Sequence, residues 1–488
     1  MSSPVATRAC GAGGAAATAH PLATEAAVHV LDQGGSAADA AIAAQAVICV
    51  VMPQAAGIGG DVLALVHHRG VVAAVNGTGR SPRGLTSPPR TTGATSVTVP
   101  GLVDGWLTLH TRWGRLPLAV VLESAIDLAA TGAPLNDSLT AAVAQQRQRL
   151  EDGGAADWSL LVAVNDPGRD SWVQPELAAL LKQVARHGRE AFYAGPAATA
   201  MHQAVRRGGG FLDLADLADH VTPSPPPLSV DWAGGQVHVQ PPLSQGVLLA
   251  MALQKVRSLE AEGVPIDDHI LVEVTEAVFA HRSSCRRGED LLTVELVVDP
   301  IRASGRGGPR SYLHTAGVAT VDVDGQVVSS LVSVFDDFGS GVFVPELGLV
   351  LNNRAGGFTD GDNAAAPGKR PVHTLAPAMV TSSSGVLGLA TPGADGQVQT
   401  LLQVLTATSL RGTPLPEAAG ALRWRSQDGD LLLEAGHPAQ EALAARGHRI
   451  VVLDPGADLF GAVIAAGTHP TPHAVADWRR RCDTRGVA

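Results

Sequence analysis

The sequence predicts an α/β protein in which sheets are covered by helices, and three observations support this prediction. Segments with the two-residue alternation of strands are interspersed with segments of helical spacing along most of the chain. Apolar residues make up 45% of the composition and charged residues 17%, which is typical of a globular protein with a large core. The length of 488 residues suffices for two or three ordinary domains or for one large layered unit.

The first part of the chain combines helices with a glycine turn and two short strands. Residues 21–51 have helical spacing, with Thr24 as a candidate cap of a first helix and Ser36 as the cap of a second. A tight glycine turn is expected at 57–61, followed by two strands within 62–75. Further elements are expected as a loop at 76–89 and helices at 103–113 and 117–130.

The middle of the chain is predicted to be mixed and to end in a linker. Helices are expected at 175–187, 197–207 and 267–281. Residues 284–308 are polar, rich in Arg and Gly, and without a strong period, which predicts an exposed linker. Beyond the hairpin described next, strands are expected around 342–350 and within 379–390, and helices at 397–409 and 416–422.

The linker leads to a predicted β-hairpin that opens on a threonine. From Thr315 the chain runs apolar to the turn at Asp324 and Gly325, and residues 326–334 return as a second alternating strand. A β-branched residue at the start of a strand is common, so this segment by itself does not indicate a function.

Short motifs recur in a characteristic order on both sides of the hairpin. Each is weak evidence alone, but eight or more in one order are specific. The motifs are Thr18-Ala19-His20-Pro21, Gly34-Gly35-Ser36-Ala37, Gly57-Ile58-Gly59-Gly60, Val99-Pro100-Gly101, Gly114-Arg115-Leu116-Pro117, Phe338-Gly339-Ser340-Gly341, Leu351-Asn352-Asn353, Pro367-Gly368-Lys369-Arg370-Pro371 and Thr391-Pro392-Gly393. Together they resemble the γ-glutamyltranspeptidase family of N-terminal-nucleophile hydrolases over about residues 18–461.

This resemblance implies a four-layer αββα sandwich and a chain that cuts itself before a threonine. Thr315 matches that threonine, which implies cleavage between His314 and Thr315. The products would be a large subunit of residues 1–314 and a small catalytic subunit of residues 315–488.

The same resemblance assigns catalytic roles. A threonine hydroxyl needs a base, and the α-amine released at Thr315 by the cut would provide one, since such amines titrate at about 7.7–8.0. Ser333 corresponds to a second hydroxyl that supports the nucleophile. Gly393 and Ala394 correspond to the backbone N–H pair that stabilises the developing oxyanion, with alanine in place of a family glycine.

The positions that bind the glutamyl group in the family are occupied by other residue types. Thr78 stands at the place of the carboxylate-binding arginine, and Arg80 lies two residues away. The other changed positions are Phe335 and Gly357 for the amine-binding asparagine and aspartate, His373 and Thr374 for a pair of serines, Arg354 for an acidic residue, and Asp336 and Asp337 for small polar residues.

These changes predict a site that prefers a carboxylate without a nearby ammonium, with Arg354 and Arg80 as candidate anchors. Structural ion pairs remain the alternative for both arginines. Asp336 with Asp337 could rebuild an ammonium site, and His373 is either an acid–base group or a hydrogen-bonded structural histidine.

Composition excludes several partners. The net charge of −11 argues against nucleic acid and anionic membranes. The N-terminal residues lack an apolar signal segment and the four cysteines lack metal spacing, so we expect a cytoplasmic protein with reduced thiols. His20, His67 and His68 lack a matched ligand set, and no metal or cofactor is expected.

Several functions stay open at this point. The leading hypothesis is a self-processing hydrolase acting on a small non-glutathione substrate that carries a carboxylate. One branch of the family cleaves a C–C bond in alkylproline precursors of actinobacterial antibiotics, and hydrolysis of an acyl or glutaryl-like amide is comparable. The alternatives are true γ-glutamyl transfer and an unprocessed binding or scaffold protein. The oligomeric state of the two-subunit unit is left open.

Overall fold

The computed structural model describes residues 4–304 and 315–488, so the predicted cut-site residue His314 lies outside the described residues. The twenty strands are β1 Thr7–Cys10, β2 Gly14–Thr18, β3 Asp61–His68, β4 Val71–Gly77, β5 Ala133–Pro134, β6 Ser171–Trp172, β7 Leu228–Trp232, β8 Gly235–Val239, β9 Ala316–Asp322, β10 Val327–Ser333, β11 Phe343–Val344, β12 Leu349–Val350, β13 Ala378–Ser382, β14 Gly385–Ala390, β15 Trp424–Gln427, β16 Asp430–Glu434, β17 Ile450–Leu453, β18 Ile464–Gly467, β19 His473–Ala476 and β20 Asp483–Val487.

The α-helices cover both outer faces. They are α1 Pro21–Asp32, α2 Ala37–Val51, α3 Leu102–Trp113, α4 Leu118–Val121, α5 Glu123–Thr131, α6 Asp137–Leu150, α7 Ser159–Val164, α8 Pro175–His187, α9 Glu190–Tyr193, α10 Gly195–Arg207, α11 Leu214–Ala218, α12 Gly246–Ala261, α13 Asp268–Phe279, α14 Gly396–Ser409, α15 Leu415–Gly420 and α16 Gln440–Ala445. No helix among the described ranges is long and apolar enough to cross a membrane.

Two large sheets form the centre of the molecule. A six-stranded sheet has the order β20-β2-β9-β10-β3-β4, and a seven-stranded sheet has the order β1-β19-β18-β14-β13-β8-β7. Apolar side chains such as Ala319, Leu331, Ala390 and Ile464 fill the space between them. Because many of these side chains are alanines, the two sheets can pack closely.

Each sheet is covered by helices on its other face. The six-stranded sheet packs its second set of side chains, including Val318 and Val332, against α1, α2 and α3. The seven-stranded sheet does the same against α12, α13 and α14, through residues such as Val239 and Leu389. The four-layer αββα sandwich implied by the family resemblance is therefore confirmed.

Most predicted elements are confirmed, with two corrections. Ser36 caps α2 in a capping box with Asp39. Thr24 does not cap α1, because His20 precedes the helix and its Nδ1 accepts the Leu22 N–H at 3.2 Å, while Thr24 is buried within the first turns. The first part of the predicted linker is not irregular, since residues Arg282–Thr293 form 3₁₀ turns.

The glycine turn at 57–61 positions the start of β3 directly against β10. A Cβ atom on Gly60 would lie 2.4 Å from the carbonyl oxygen of Ser333, so only glycine allows this approach. The close backbone contact brings the following residue, Asp61, into the same row as Ser333.

Candidate active site

Thr315 lies at the end of the central hairpin, in line with polar residues of the neighbouring strands. Val332 of β10 pairs with Ala316 of β9, so the same register places Ser333 opposite Thr315. Ser333 in turn pairs with Asp61, the first residue of β3. Since neighbouring strands are about 4.8 Å apart, the Thr315 and Asp61 backbones are about 10 Å apart. All three residues are buried.

The row continues into β4 and faces the space between the sheets. Val62 pairs with Gly77, so Thr78 stands opposite Asp61, and its hydroxyl donates to Asn76 Oδ1 at 2.5 Å. Alternate residues of β9 and β10 lie in the core between the sheets, and alternation gives Thr315 and Ser333 the same orientation. The hydroxyls therefore lie on the side of the seven-stranded sheet.

A loop of the seven-stranded sheet reaches this end of the hairpin. A Cβ atom on Gly317 would be 3.5 Å from Cβ of Ala390, the last residue of β14, and residues 391–395 continue from there. Gly393 has φ 118° and Ala394 has φ 49°, in the left-handed region that costs an alanine about 1–2 kcal/mol. Neither backbone N–H donates a hydrogen bond to a residue in 4–304 or 315–488.

The carbonyl groups of the same loop are firmly held. Arg425 Nη1 donates to the Gly393 carbonyl at 3.1 Å. The buried amide of Gln245, just before α12, donates to the carbonyls of Ala394 at 2.8 Å and Thr374 at 2.5 Å. The loop thus presents two unused N–H groups while its carbonyls are fixed, which is the arrangement an oxyanion hole requires.

A buried ion pair stands beside the row. Arg354 Nε donates to Asp61 Oδ2 at 2.8 Å, and both side chains are fully buried. His373 Nε2 lies 3.4 Å from the same carboxylate oxygen. The Leu375 N–H points at His373 Nδ1 at 3.2 Å, which leaves the proton of a neutral imidazole on Nε2, towards Asp61.

The charges of this cluster follow from burial and contact. Burial would raise the pKa of Asp61, but the charge of Arg354 and the hydrogen bond from His373 outweigh it and lower that pKa. Burial, together with the charge of Arg354, lowers the pKa of His373 to about 4. At neutral pH the cluster is a carboxylate and a guanidinium with a neutral histidine.

The guanidinium of Arg354 is only partly used by the protein. Phe335 lies under it, with Cζ of Arg354 4.5 Å from the ring centroid. Nη1 and Nη2 are buried and have no hydrogen-bond acceptor among the described residues. Buried arginine donors almost always have partners, and their fork matches a carboxylate. This side chain can therefore hold Asp61 through Nε and an anionic ligand through its two Nη atoms.

Phe335 and Gly357 do come together, as expected of positions that share one ligand, but they form an apolar surface. Phe335 has φ 88° and is buried. A Cβ atom on Gly357 would lie 3.7 Å from Cζ of the Phe335 ring. The next residue, Asp336, accepts a hydrogen bond from the Asn353 side chain at 2.8 Å. Burial raises the pKa of its carboxyl group. Phe335 and Gly357 themselves offer no anionic group to an ammonium.

Arg80 lies apart from this cluster. It is exposed, donates to the Gly368 carbonyl at 3.0 Å, and lines a cavity of about 270 Å³ together with Arg370 and His220. The walls of that cavity do not include Thr315 or Arg354. The two arginines that the sequence suggested as substrate anchors therefore lie in different places: Arg80 lines this cavity, and Arg354 is buried beside Asp61.

Sequence reasoning missed Asp61 and Gln245. Asp61 carried a signal, since it is a carboxylate at the head of the apolar strand that follows two glycines. Gln245 carried none, because its partners at 374 and 394 are far away in the chain.

The fold and this site define a class of protein. Two facing sheets lie between helical layers, and a buried threonine precedes a central strand near two backbone N–H groups that have no acceptor within residues 4–304 and 315–488. These are features of the N-terminal-nucleophile hydrolases. The family model described as Gamma-glutamyltranspeptidase matches residues 23–301 and 299–487. The chain belongs to the gamma-glutamyltranspeptidase family, and it is an enzyme of this hydrolase type.

Individual relatives span nearly the whole chain. The oxamate amidohydrolase proenzyme of Klebsiella pneumoniae is 32% identical over 94% of this chain and 95% of its own length. The glutathione hydrolase-like YwrD proenzyme of Bacillus subtilis is 31% identical over 83% of each chain. The crystal structure of cephalosporin acylase from Bacillus halodurans superposes with a TM-score of 0.85 at 27% identity, covering 99% of this chain and 97% of that one.

Proposed function

We propose that this chain is a self-processing amidohydrolase whose substrate acyl group carries a carboxylate and no ammonium. The observation that carries the proposal is the buried guanidinium of Arg354, whose two Nη atoms have no acceptor among the described residues. It stands beside the row that contains Thr315, at a place where Phe335 supplies an apolar surface.

Maturation is the first step. Cleavage before Thr315 converts its amide nitrogen into an α-amine, which then serves as the base for its own hydroxyl. The relatives named as proenzymes support this step. The resulting subunits are residues 1–314 and 315–488.

Amide hydrolysis then proceeds through an ester. The Thr315 hydroxyl adds to the substrate carbonyl carbon while the α-amine takes its proton. The N–H groups of Gly393 and Ala394 hold the oxyanion, and each such donor contributes about 2.7–4 kcal/mol to transition-state stabilisation. The α-amine returns the proton to the leaving nitrogen, the C–N bond breaks, and water hydrolyses the acyl ester to regenerate the hydroxyl.

Ser333 supports the nucleophile from the next strand. Its Oγ accepts the Phe335 N–H at 2.9 Å, which fixes the hydroxyl opposite Thr315. His373 acts on Asp61 rather than on the reacting atoms, because its Nε2 proton points to that carboxylate.

The substrate class follows from the ligand groups. A carboxylate accepts from the free fork of Arg354, whereas a glutamyl ammonium would face the ring of Phe335 and the bare backbone of Gly357. A relative named for oxamate, an amide whose acyl part is a carboxylate without an ammonium, supports this class. Hydrolysis releases ammonia and a dicarboxylate.

A substrate panel tests the proposal. Purified processed enzyme is supplied with oxamate, succinamate, glutaramate and γ-glutamyl-p-nitroanilide, and ammonia or nitroaniline release is measured. We expect the best of the three carboxylate amides to have a kcat/KM at least about tenfold above that of γ-glutamyl-p-nitroanilide. A tenfold difference corresponds to the loss of one charged hydrogen bond.

Other outcomes point elsewhere. Fast turnover of the γ-glutamyl compound with little hydrolysis of the others would restore plain γ-glutamyl transfer. Inertness of processed enzyme towards all four amides would return the C–C bond cleavage considered from the sequence to first place. A single band near the full mass of 49.9 kDa on a denaturing gel would favour the unprocessed scaffold.

A further inference from the structure

A second cluster of chemically reactive side chains lies far from the hairpin, on the helical layer that covers the seven-stranded sheet. His269 and Glu273 occupy one face of α13, and His448 reaches them from the loop before β17. One ligand atom from each residue can be chosen so that all three atoms lie within 4.8 Å of one another. His269 Nδ1 and His448 Nε2 are 2.8 Å apart.

The orientation of His269 is that of a metal ligand. Its Nε2 donates to the carbonyl of Asp299 at 2.9 Å, so Nδ1 carries the lone pair and points at the other two side chains. Histidines that bind metal usually donate their second ring N–H to a carbonyl or carboxylate in this way. The spacing of four residues between His269 and Glu273 puts both ligands on the same helix face.

Burial and access also fit an ion. His269 and Glu273 are almost completely buried, whereas His448 is half-buried. Both Glu273 and His448 line a cavity of about 430 Å³, which gives an ion an entry path and leaves space for a water ligand. Asp428 and Asp430 also line this cavity, and Asp430 is paired with Arg449.

We propose that His269, Glu273 and His448 form a binding site for a divalent transition metal of the Zn²⁺ class. Two imidazoles and one carboxylate, with water as a fourth ligand, suit Zn²⁺ and its neighbours better than Ca²⁺ or Mg²⁺. No local pattern in the sequence reveals this set, because His448 is 179 residues away from His269.

The position of the site assigns it a structural role. Glu273 also accepts hydrogen bonds from the backbone and hydroxyl of Ser304, and His269 holds Asp299. Both partners belong to the segment that precedes Thr315. A metal would tie α13, the loop at 448 and this segment together. The metal site does not depend on whether the chain is cut.

Metal content and affinity test the proposal on the full chain. Protein stripped with a chelator is titrated with ZnCl₂ by calorimetry, and dialysed protein is analysed by mass spectrometry for bound metal. We expect one ion per chain, a rise in the thermal midpoint with Zn²⁺, and the visible absorption of four-coordinate Co²⁺ when cobalt replaces zinc.

Matched variants separate this site from adventitious binding. His448→Ala at the rim and Glu273→Gln should each weaken Zn²⁺ binding more than about 100-fold. Loss of a residue that only supports a ligand weakens binding by up to about 100-fold, and loss of a ligand itself should weaken it more. Asp430→Asn on the same cavity wall and His68→Ala in another histidine pair should keep the wild-type stoichiometry and affinity. Equal binding by wild type and the His448→Ala variant, or no Zn²⁺ binding by folded wild type, would overturn the proposal.

Discussion

At the level of single residues, the proposed function makes both maturation and turnover depend on the hydroxyl of Thr315. Thr315→Ala removes it, so we expect one full-length, inactive chain. Thr315→Ser keeps a hydroxyl and should still be cut, at a reduced rate. Intact mass and N-terminal sequencing measure both. Thr320→Ser is the control and should process normally. Thr320 lies five residues further along the chain, where its hydroxyl donates to the Ala37 carbonyl. A new N-terminus other than Thr315 would refute the assignment.

Arg354 is best tested by a change that keeps its charge. Arg354→Ala would leave Asp61 buried without its cation and cost about 3–5 kcal/mol of stability, whatever its role in binding. Arg354→Lys retains the charge but lacks the planar fork, so KM for the carboxylate substrate should rise about tenfold or more with kcat little changed. Arg80→Ala should leave KM for a small substrate within a factor of about three, because Arg80 lines a different cavity. An unchanged KM in Arg354→Lys would make Arg354 a purely structural partner of Asp61.

His373 should make stability depend on pH. Its pKa is about 4 in the folded protein and about 6.5 when unfolded, so the unfolded chain binds more protons between these values. The contribution of neutral, buried His373 to the free energy of unfolding is complete above pH 6.5 and is lost as the pH falls towards 4.

The measurement is the free energy of unfolding in denaturant at pH 7 and pH 5. The loss on acidification should be smaller in His373→Gln than in wild type by about 2 kcal/mol. The exposed residue His187, changed to Gln, should leave the wild-type loss intact. An identical loss in His373→Gln would show that other groups dominate the acid sensitivity.

At the scale of elements, the start of α12 holds the loop after β14 through one amide. Gln245→Ala removes the donor shared by the Ala394 and Thr374 carbonyls, so the N–H groups of Gly393 and Ala394 lose their fixed geometry. We expect kcat to fall about tenfold or more with a small change in KM, since preorganised donors act mainly in the transition state.

Gln240 supplies the matched control for this element. Its amide bridges the carbonyls of Ala64 and Val75 in a comparable way, within the sandwich but away from the loop. Gln240→Ala should lower the thermal midpoint while the kcat of folded enzyme stays near wild type. If both variants lose the same fraction of kcat, the effect of Gln245 is general destabilisation.

At the scale of the whole molecule, the two proposed subunits are interleaved. In the six-stranded sheet, β2 from residues 1–314 lies between β20 and β9 from residues 315–488, and β10 is followed by β3 and β4 from residues 1–314. In the seven-stranded sheet, β1, β7 and β8 flank the strands of the small subunit. The proposed cut would therefore break one peptide bond without releasing any of the four layers.

This topology predicts that processed fragments of 314 and 174 residues stay together under native conditions. Light scattering after gel filtration should give a mass of 49.9 kDa or a multiple of it, while a denaturing gel shows two bands. Thermal unfolding should separate the fragments in the same transition that melts the sheets. Dissociation below that transition would contradict the interleaved arrangement.

Most strands and helices, and the hairpin that begins at Thr315, can be predicted from the amino-acid sequence alone. Alternation and helical spacing are local properties, so the hairpin, α2 with its Ser36 cap and most other elements could be predicted. The motif order indicated the family. The resemblance to the family also implied that Thr78, Phe335 and Gly357 stand at glutamyl-binding positions without the side chains that bind a glutamyl group.

Which distant residues come into contact depends on the three-dimensional fold. Asp61 shares a row with Ser333 through strand register, and Arg354 then binds that carboxylate from 293 residues away. Gln245 reaches Ala394, and His448 reaches His269, across similar gaps. A buried polar group can be satisfied by any partner that the fold brings within about 3 Å. Such partners are therefore set by packing and register, which the order of residues along the chain does not reveal.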